Sequence, residues 1–543
     1  MINNQKKKAR EKLLDEFGCP KDESFYFEQI EPYFRRKDNS TVLQSLSDKT
    51  CNDLDFEELF MFIDRTNSKV GQQFLYNKLR TIPTHGTENL EQEKFIEEFT
   101  TNQAFRVVVQ KQLNKLNKNE AYFVSSLFQE EVLKPPKWYL IVKYLSFISL
   151  LSLILSFIQP AMLFLFFGVV FINLGIHYWN KKNLFNYFGS IPQLIKLNNV
   201  ARELFKHDIL KELNPDLIQS TNVVANVSSR MSVFNLDVRI KTDQQIIFWF
   251  LFELIKITFL IEPLALFGTL ERVDNKRKEI EKVFLFVGKI DAMLSIASLR
   301  NGLSNFCIPK VISAQKTLFA NEAYHPLISN CVKNSIHVNK KSILLTGSNM
   351  SGKTSFIRAI GINVITGLTL NTCFAKEFSM PRLRIYSAIR ISDDLMNDRS
   401  YYFEEVLTIK EMIDKSATEY QNLFLLDEIF KGTNTVERIS AGKAVLSSLT
   451  KEDHIVFVST HDIELADLLK NEYDLYHFSE MVDHKTVDFD YKLKDGKLKN
   501  RNAIRILQIN DYPESIITEA IEISKELDKI SMGNTPQIAC TVL

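Results

Sequence analysis

The segment Ile343–Ser355 has the sequence ILLTGSNMSGKTS, in which an apolar run is followed by Gly347, four further residues, and then Gly352-Lys353-Thr354. Glycines at these positions let backbone N–H groups turn towards a bound phosphate, while the lysine adds positive charge and the hydroxyl can ligate Mg²⁺. The pattern predicts a strand, a phosphate-binding loop and a helix in succession, within a P-loop domain of α/β fold. The alternative is an ordinary glycine-containing turn, but only 17 of the 543 residues are glycine, which makes a chance match uncommon.

Two further apolar runs end in polar residues that suit the same chemistry. Leu423 to Leu426 precede Asp427 and Glu428, and a later run from Ile455 to Val458 is followed shortly by His461. Because parallel strands of such a sheet end at one edge, we expect the acid pair and the imidazole beside the phosphate loop. Asp427 could then reach Mg²⁺, Glu428 could polarise an attacking water, and His461 could sense a γ-phosphate. Without the loop, solvated acids and a structural histidine would be the simpler interpretation.

Four segments in this order and spacing resemble a known family: GSNMSGKTS, ISDDLMNDRSYYFEEV, LFLLDEIFKGTNT and VSTHDIEL. They are similar to the ATPase domain of the MutS family of DNA mismatch-repair proteins. Nearer the N-terminus, SDKTCNDLDFEELFMFIDRTNSKVGQQFLYNKLRTI resembles the start of that family's helical core domain, and IDAMLSIASL resembles the end of its lever helix. The resemblance implies an α/β P-loop ATPase domain of the ABC-ATPase-like type, joined to an all-α core and lever domain.

The resemblance also implies roles for individual positions. The residues expected to bind ATP are Gly347, Asn349, Met350, Ser351, Gly352, Lys353, Thr354 and Ser355. Thr354 and Asp427 would hold Mg²⁺, Glu428 would be the general base, and His461 would read the γ-phosphate. Ser400 matches a serine that, in the family, reaches across a dimer to the partner's nucleotide. A homodimer and Mg²⁺-dependent ATP hydrolysis are therefore implied.

The chain departs from the family pattern at its start and at the nucleotide base. About 45 residues precede the core-like segment, which is too few for the family's mismatch-recognition and connector domains. Phe25 to Glu28 reads Phe-Tyr-Phe-Glu and lacks the Phe-x-Glu spacing of the family's mismatch wedge. The aromatic residue that stacks on adenine is expected near Ile336, where this chain has none. Mismatch reading by wedge insertion is therefore expected to be absent.

The segment from Trp138 to Trp179 consists of two apolar stretches separated by Gln159-Pro160. Each stretch is long enough, or nearly so, to cross about 30 Å of hydrocarbon at 1.5 Å per residue. Aromatic residues lie at both ends and lysines flank them at positions 134, 137, 181 and 182, which places both ends in the cytoplasm. Lys143 lies one turn from the boundary, where it can snorkel. The prediction is a transmembrane helical hairpin in contact with lipid through residues 138–179, and the alternative is a hairpin buried in a soluble core.

Three other segments are predicted to be helical. Ile246–Gly268 contains Glu253, Lys256 and Glu262, which favours an amphipathic core helix running into the lever over a third membrane helix. Apolar residues then recur every seven positions from Val273 to Leu294, which predicts one long packed helix. Near the end of the chain, an apolar stripe predicts a helix that the resemblance interprets as a dimerisation element, with an intradomain helix as the alternative; its members are Ile516, Ala520, Ile523, Leu527 and Ile530.

Together these interpretations divide the chain into six regions. They are a polar N-terminal arm (1–45), the two halves of a helical core and lever domain (46–133 and 183–305), the membrane hairpin between them (134–182), the ATPase domain (306–513) and a C-terminal dimerisation helix and tail (514–543). A net charge of +1 argues against a strongly basic nucleic-acid surface, although it leaves room for a local patch. The six cysteines show no metal-binding spacing.

The sequence therefore predicts a homodimeric MutS-like ATPase, anchored in the cell (inner) membrane with its catalytic part in the cytoplasm. Two functions remain open at this stage. The family resemblance implies binding of mismatched or branched DNA. The missing wedge and the near-neutral charge instead favour an ATP-driven switch that acts on protein or lipid partners without DNA.

Overall fold

The computed structural model describes residues 2–131, 133–188, 190–228, 243–313, 316–348, 350–390, 401–482, 487–498, 503–510 and 512–533. The chain forms two compact units. The first, which we call the helical unit, consists of residues 1–45 and 60–304, and the second, the sheet unit, consists of residues 46–59 and 305–543. The predicted division placed residues 46–59 with the helical core, whereas the compact units place them with the sheet.

The helices up to residue 302 are α1 (Ile2–Asp15), α2 (Phe27–Ile30), α3 (Pro32–Arg36), α4 (Asp48–Asp53), α5 (Phe56–Ile63), α6 (Lys69–Arg80), α7 (Thr87–Thr101), α8 (Gln103–Leu113), α9 (Ser126–Gln129), α10 (Tyr139–Ser156), α11 (Met162–Phe188), α12 (Ser190–Leu204), α13 (Asp208–Lys211), α14 (Leu217–Ser228), α15 (Asp243–Thr258), α16 (Ile261–Asp274) and α17 (Arg277–Gly302). The later helices are α18 (Lys353–Leu370), α19 (Tyr401–Ser416), α20 (Thr435–Leu449), α21 (Ile463–Leu469), α22 (Ala503–Ile509) and α23 (Glu514–Gly533). Short 3₁₀ turns lie at Asn114–Leu116 and Asn119–Val124.

The strands are β1 (Gln44–Ser45), β2 (Thr81–Ile82), β3 (Lys310–Val311), β4 (Thr317–Ala323), β5 (Asn334–Asn339), β6 (Ser342–Thr346), β7 (Glu377–Met380), β8 (Arg384–Ala388), β9 (Asn422–Asp427), β10 (Ile455–Thr460), β11 (Tyr473–His477), β12 (Glu480–Val482), β13 (Val487–Phe489) and β14 (Lys494–Asp495). Apart from the short β1–β2 pair, all of them belong to the sheet unit, which is therefore of mixed α/β class.

The central sheet of the sheet unit has six strands in the order β14-β11-β6-β10-β9-β8. All neighbouring pairs are parallel except β14 with β11. Strands β6, β9 and β10 are buried along nearly their whole length, as expected for apolar runs covered by helices on both faces. In register, Asp427 lies beside Ser459 and Thr460 lies beside Thr346, so the three runs singled out in the sequence end at the same edge. A separate four-stranded sheet has the order β3-β7-β4-β5.

Residues 46–59 join the sheet unit because their acidic side chains bind the end of β8. The buried Asp53 carboxylate accepts hydrogen bonds from Ser387 Oγ at 2.6 Å and from the backbone N–H groups of Ile389 and Arg390 at 3.1 and 2.8 Å. Asp55 forms ion pairs with Arg358 and Arg390 at 3.0 and 2.5 Å. The last residue of α4 and Asp55 just beyond it thus supply acceptors for the chain that leaves the edge strand.

We expect Asp53→Ala to destabilise the sheet unit by about 3 kcal/mol, because the buried Ser387 hydroxyl and two partly buried backbone N–H groups would lose a charged acceptor. Scanning calorimetry of the full chain would measure this as a lowered unfolding midpoint. Asp414→Ala is the control, since Asp414 lies on the exposed face of α19. Equal midpoints for the two variants would contradict the structural role of Asp53.

The helical unit is organised around α17, a helix of 26 residues. Ile280, Val287 and Leu294 of the predicted seven-residue repeat are all completely buried. So are Val283 and Ile290, each three places further on, which confirms the predicted apolar seam. Val273, the first member of the predicted repeat, lies in α16, because the chain turns between residues 274 and 277. The predicted lever therefore begins at Arg277 and not at Val273.

The first 45 residues, predicted as a polar arm, contain short helices and aromatic residues that pack within the helical unit. The basic segment from Lys6 to Arg10 lies within α1. Tyr33 is completely buried, with its ring centroid 4.8 Å from that of Phe284 on α17. Phe25 and Phe27 each pack on Phe60, with ring centroids 6.1 Å apart in both pairs. Aromatic residues in a largely charged segment thus tie it to the helical unit, and the nearest match to a mismatch wedge forms part of this packing.

The predicted hairpin is present as α10 and α11. Both helices are long and apolar enough to cross a bilayer by length and composition, and only 17% of each such stretch is buried. Phe157, Phe164 and Phe171 are 87%, 86% and 78% exposed. The rings of Trp138 and Trp179, with centroids 4.9 Å apart, bring the two ends of the hairpin together. Such exposure differs from that of a core helix in a soluble protein, which is mostly buried.

The single helix predicted for Ile246–Gly268 is wrong, because the chain breaks at its centre. Helix α15 ends at Thr258 and α16 starts at Ile261, and Leu260 between them has the left-handed φ of 48°. Pro263 lies in the first turn of α16, where a residue without an N–H group is tolerated. The apolar pattern continues across the break, so its periodicity gave no sign of the bend.

The predicted C-terminal helix corresponds to α23. Ile516 and Ile523 are 46% and 49% exposed, whereas Ile517 is buried. The stripe members Leu527 and Ile530 lie in the part of α23 whose side chains the structure does not describe. The exposed isoleucines leave part of the predicted stripe open in the single chain.

Candidate active site

The phosphate-binding sequence lies between β6 and α18, as the sequence predicted. Gly352 has φ of 103°, a value that residues with a side chain rarely adopt, and it is the residue from which α18 starts. A Cβ at this position would also lie 3.2 Å from the Tyr491 ring. Met350 has φ of 68° and is 83% exposed, while Ser351 is buried and donates to the carbonyl of Ser348 at 2.8 Å. The backbone of the loop therefore requires a glycine at position 352, and the loop is closed by its own hydrogen bonds.

Lys353 is buried at the first position of α18 and turns back into the loop. Its Nζ donates to the carbonyls of Gly347 and Ser348 at 2.9 and 2.8 Å. Burial lowers the pKa of Lys353, while the nearby carboxylates of Glu428 and Asp427 act in the opposite direction. An ammonium group in contact with two loop carbonyls is placed to exchange them for phosphate oxygens, which are stronger acceptors.

Thr354 and Asp427 meet at the carboxyl end of β9. The Thr354 hydroxyl donates to Asp427 Oδ2 at 2.7 Å, and Ser459 Oγ donates to Oδ1 of the same carboxylate. Among the described residues there is no cluster of three or more histidine, cysteine or acidic side chains that could hold a metal ion. The hydroxyl and carboxylate nevertheless fit Mg²⁺, which prefers oxygen ligands and retains several waters.

Glu428 follows Asp427 with the left-handed φ of 52°, and its N–H donates to the Ser459 carbonyl at 3.0 Å. Its carboxylate contacts His461 Nε2 and lies 2.7 Å from Lys431 Nζ. Burial alone would raise the pKa of Glu428, but the hydrogen bonds and charges of His461 and Lys431 outweigh it and lower the pKa to about 2. Glu428 is therefore a carboxylate at neutral pH. Its backbone conformation sets its direction, and the side chains of His461 and Lys431 hold it in position.

Glu405, in the segment ISDDLMNDRSYYFEEV, supports the turn that carries Glu428. It is completely buried in α19, and its Oε1 accepts the Phe430 N–H at 2.5 Å. Burial raises the pKa of Glu405. Gly432 approaches Tyr402 of the same helix so closely that a Cβ would lie 2.8 Å from the tyrosine Cβ. Helix α19 thus fixes the loop after the acid pair.

A cavity of about 570 Å³ opens above the loop and is lined on its other walls by residues for which the sequence predicted no role. They include Tyr324, His325, Ile328, Val332, Asn334 and Tyr491. Asn334 donates from Nδ2 to the Tyr491 carbonyl at 2.9 Å and accepts from Leu493 N–H at 2.8 Å. Ile336, where an adenine contact was expected, is buried in β5 and does not line the cavity. Tyr491 is a better candidate for contact with a base, since its half-exposed ring lies beside Gly352.

Two predicted site residues, Asn349 and Ser400, lie outside the described residues, as does the Asp393-Asp394 pair. Ser355 lines the cavity next to Thr354. The remaining predicted residues Gly347, Met350, Ser351, Gly352, Lys353, Thr354, Asp427, Glu428 and His461 come together at the carboxyl ends of β6, β9 and β10. The arrangement combines a buried ammonium group, a hydroxyl–carboxylate pair and an oriented carboxylate around one cavity.

Residues 343–528, which contain all of these groups, match a family model. The match is to MutS domain V. The chain is also similar to the DNA mismatch repair protein MutS of Listeria monocytogenes serotype 4a, with 27% identity over 285 residues. That region is 49% of this chain and 32% of the Listeria protein. The MutS protein of Bacillus cereus strain AH187 is 28% identical over 276 residues, which cover 46% of this chain and 30% of that protein. The likeness to MutS proteins thus extends over about half of the chain.

Proposed function

We propose that this protein is a membrane-anchored MutS-like ATPase that binds and hydrolyses Mg²⁺-ATP. The observation that carries the proposal is the convergence of Lys353, the Thr354–Asp427 pair and Glu428 at one edge of the parallel sheet. The match to MutS domain V supports it independently.

Each residue has a distinct task in this reaction. Lys353 exchanges its loop carbonyls for phosphate oxygens, and the first N–H groups of α18 add to the positive potential there. Thr354 and Asp427 would hold Mg²⁺, which neutralises negative charge on the phosphates when bound. Glu428 orients the attacking water. Because the pKa of Glu428 is about 2, it is a carboxylate at neutral pH and can accept a hydrogen bond, and then a proton, from the attacking water. His461, already in contact with this carboxylate, keeps it in position.

We further propose that two chains form the working unit. In this proposal, which the resemblance supports, Ser400 of one subunit would reach its partner's nucleotide. The exposed face of α23 at Ile516 and Ile523 offers apolar surface for pairing. ATP binding would then close the dimer, and hydrolysis would reopen it.

The hairpin α10–α11 would anchor the protein in the cell (inner) membrane. The exposed phenylalanines of both helices, together with tryptophans at the ends, are the surface that a bilayer covers and that water disfavours. The flanking lysines at both ends of the hairpin support a cytoplasmic location for the sheet unit.

The matched relatives are named as DNA mismatch repair proteins, and we propose DNA as the partner of this chain as well. We expect ATP-dependent binding of mismatched or branched duplex to the full-length protein in lipid nanodiscs, weakening as salt rises. Fluorescence anisotropy with heteroduplex, homoduplex and four-way-junction DNA at two salt concentrations would measure it. Empty nanodiscs are the control. If none of the three DNAs binds with or without ATP, the DNA-independent switch acting on protein or lipid takes the place of this proposal.

A further inference from the structure

The second half of helix α15, where side chains are described, has the opposite polarity from a helix at a water-facing surface. Four of its large apolar residues point outwards and are between 42% and 58% exposed, whereas Ile257 is buried; the four are Phe250, Leu251, Leu254 and Ile255. The side chains of Glu253 and Lys256 between them are only 13% exposed. An amphipathic helix in water turns its charges out and its apolar stripe in. In the sequence, Glu253, Lys256 and Glu262 favour a core helix over a membrane helix. In the structure, these three charged side chains point into the protein.

The inward charges form a compact cluster against the hairpin helix α11. Lys256 Nζ lies 2.8 Å from Glu253 Oε2 and 2.8 Å from Glu262 Oε1. His177 of α11 lies 3.2 Å from Glu253 and 3.6 Å from Glu262, and is almost completely buried. Ionisable groups at membrane depth are found facing the interior of a helix bundle and paired with one another, as these are.

The bend between α15 and α16 leaves backbone carbonyls without helical partners, and polar side chains of the hairpin satisfy them. Asn173 Nδ2 donates to the Thr258 carbonyl at 2.8 Å, and Ser146 Oγ donates to the Phe259 carbonyl at 2.7 Å. In water such carbonyls could bind solvent, whereas in hydrocarbon they need a protein donor. The hairpin α10–α11 thus supplies the hydrogen-bond donors that the carbonyls at this bend need in a lipid environment.

The same contacts give the depth of the bend. Phe259 lies level with Ser146 of α10, and the N-terminal Tyr139 of α10 lies level with Leu264 of α16, whose carbonyl it contacts at 3.4 Å. Ser146 is about 10 Å along the helix from Tyr139, which is about a third of the hydrocarbon thickness. Measured along the hairpin from Trp138 and Trp179 towards its tip, the bend therefore lies inside the hydrocarbon region but closer to the tryptophans than to the tip.

We propose that α15 and α16 form a second, shorter hairpin that enters the same leaflet as the ends of α10–α11, with the apolar face of α15 in contact with lipid acyl chains. The inference rests on the proposed membrane anchoring and extends it. Lipid is the occupant that fits, because α15 packs on α11 and its exposed apolar face adjoins the exposed surface of the hairpin. The membrane part of the protein is thus a bundle with a charged interior, and its two hairpins penetrate to different depths.

Tryptophan quenching by brominated phospholipids tests this placement in the full chain. The native residues Trp138, Trp179 and Trp249 are replaced by phenylalanine, and one tryptophan is then introduced at a time in phosphatidylcholine–phosphatidylglycerol vesicles. Ile255→Trp reports on α15, and Phe171→Trp reports on the middle of α11. Tyr420→Trp is the matched exposed control in the sheet unit, and Leu251→Trp is a second reporter should Ile255→Trp fail to fold.

We expect about a twofold loss of emission for Ile255→Trp with bromine near the headgroup, and a similar loss for Phe171→Trp with bromine deeper in the chain. Tyr420→Trp should be unchanged with both lipids. Quenching of Phe171→Trp without quenching at 255 and 251 would overturn the second hairpin and leave the membrane anchor intact. If Phe171→Trp is also unquenched, both the membrane anchor and the second hairpin are contradicted.

Discussion

Glu428→Gln is expected to keep ATP binding and to lower ATP turnover by about 10²–10⁴-fold, the usual contribution of a positioned acid–base group. The amide has the same shape as the carboxylate but cannot accept a proton from water or pair ionically with Lys431 and His461. Steady-state phosphate release and nucleotide titration of the purified protein would measure the two effects separately.

Glu464→Gln is the matched control, because Glu464 is an exposed acid in the first turn of α21, close to His461 in sequence. Unchanged turnover in Glu428→Gln would remove Glu428 from the catalytic role. Loss of both binding and turnover would instead make it a structural residue of the loop, since the residue has a strained backbone and a neighbouring buried glutamate, Glu405, supports its turn.

Lys353→Ala is expected to weaken ATP binding by about tenfold to a hundredfold, because hydrogen bonds to charged groups contribute about 1.5–3 kcal/mol. Isothermal titration with ATP and a non-hydrolysable analogue would measure the change. Lys341→Ala, at the opposite end of β6, is the control and should bind as the unaltered protein does. Equal affinity for Lys353→Ala and the unaltered protein would contradict the phosphate assignment.

The thermal midpoint of Lys353→Ala needs to be compared as well, because Lys353 Nζ also holds two loop carbonyls. A midpoint close to that of the unaltered protein, together with weaker binding, would separate the loss of phosphate contacts from damage to the loop. A lowered midpoint that ATP analogues no longer raise would indicate damage to the loop together with loss of binding.

The sheet and its edge were predictable because the signals are local. Three apolar runs long enough for strands end in Gly-rich or charged residues, and parallel strands place such ends together. The contacts that set residues 46–59 into the sheet unit were not predictable, because Asp53 and Arg390 are far apart in sequence and no local pattern links them. The cavity walls at Asn334 and Tyr491 were missed for the same reason.

The bend at Leu260 and the inward direction of Glu253 and Lys256 show a different limit. A helical period says which residues share a face, but not whether that face meets water, lipid or protein. In the sequence, charges within this apolar stretch favour an amphipathic core helix over a membrane helix. Their pairing with each other and proximity to His177 removes that inference, because neutralised charges can be enclosed.

The hydrogen bonds of Asp53 also bear on how the chain is made. The acceptor is synthesised early, whereas its donors at Ser387, Ile389 and Arg390 emerge only after the whole helical unit has left the ribosome. The edge of the sheet therefore cannot be completed in the order of synthesis, and the N-terminal segment must wait for its partners. A recombinant fragment starting at Asn305 would lack this acceptor, along with Leu54 packed beside Gly361, so the sheet unit is a discontinuous piece of the polypeptide.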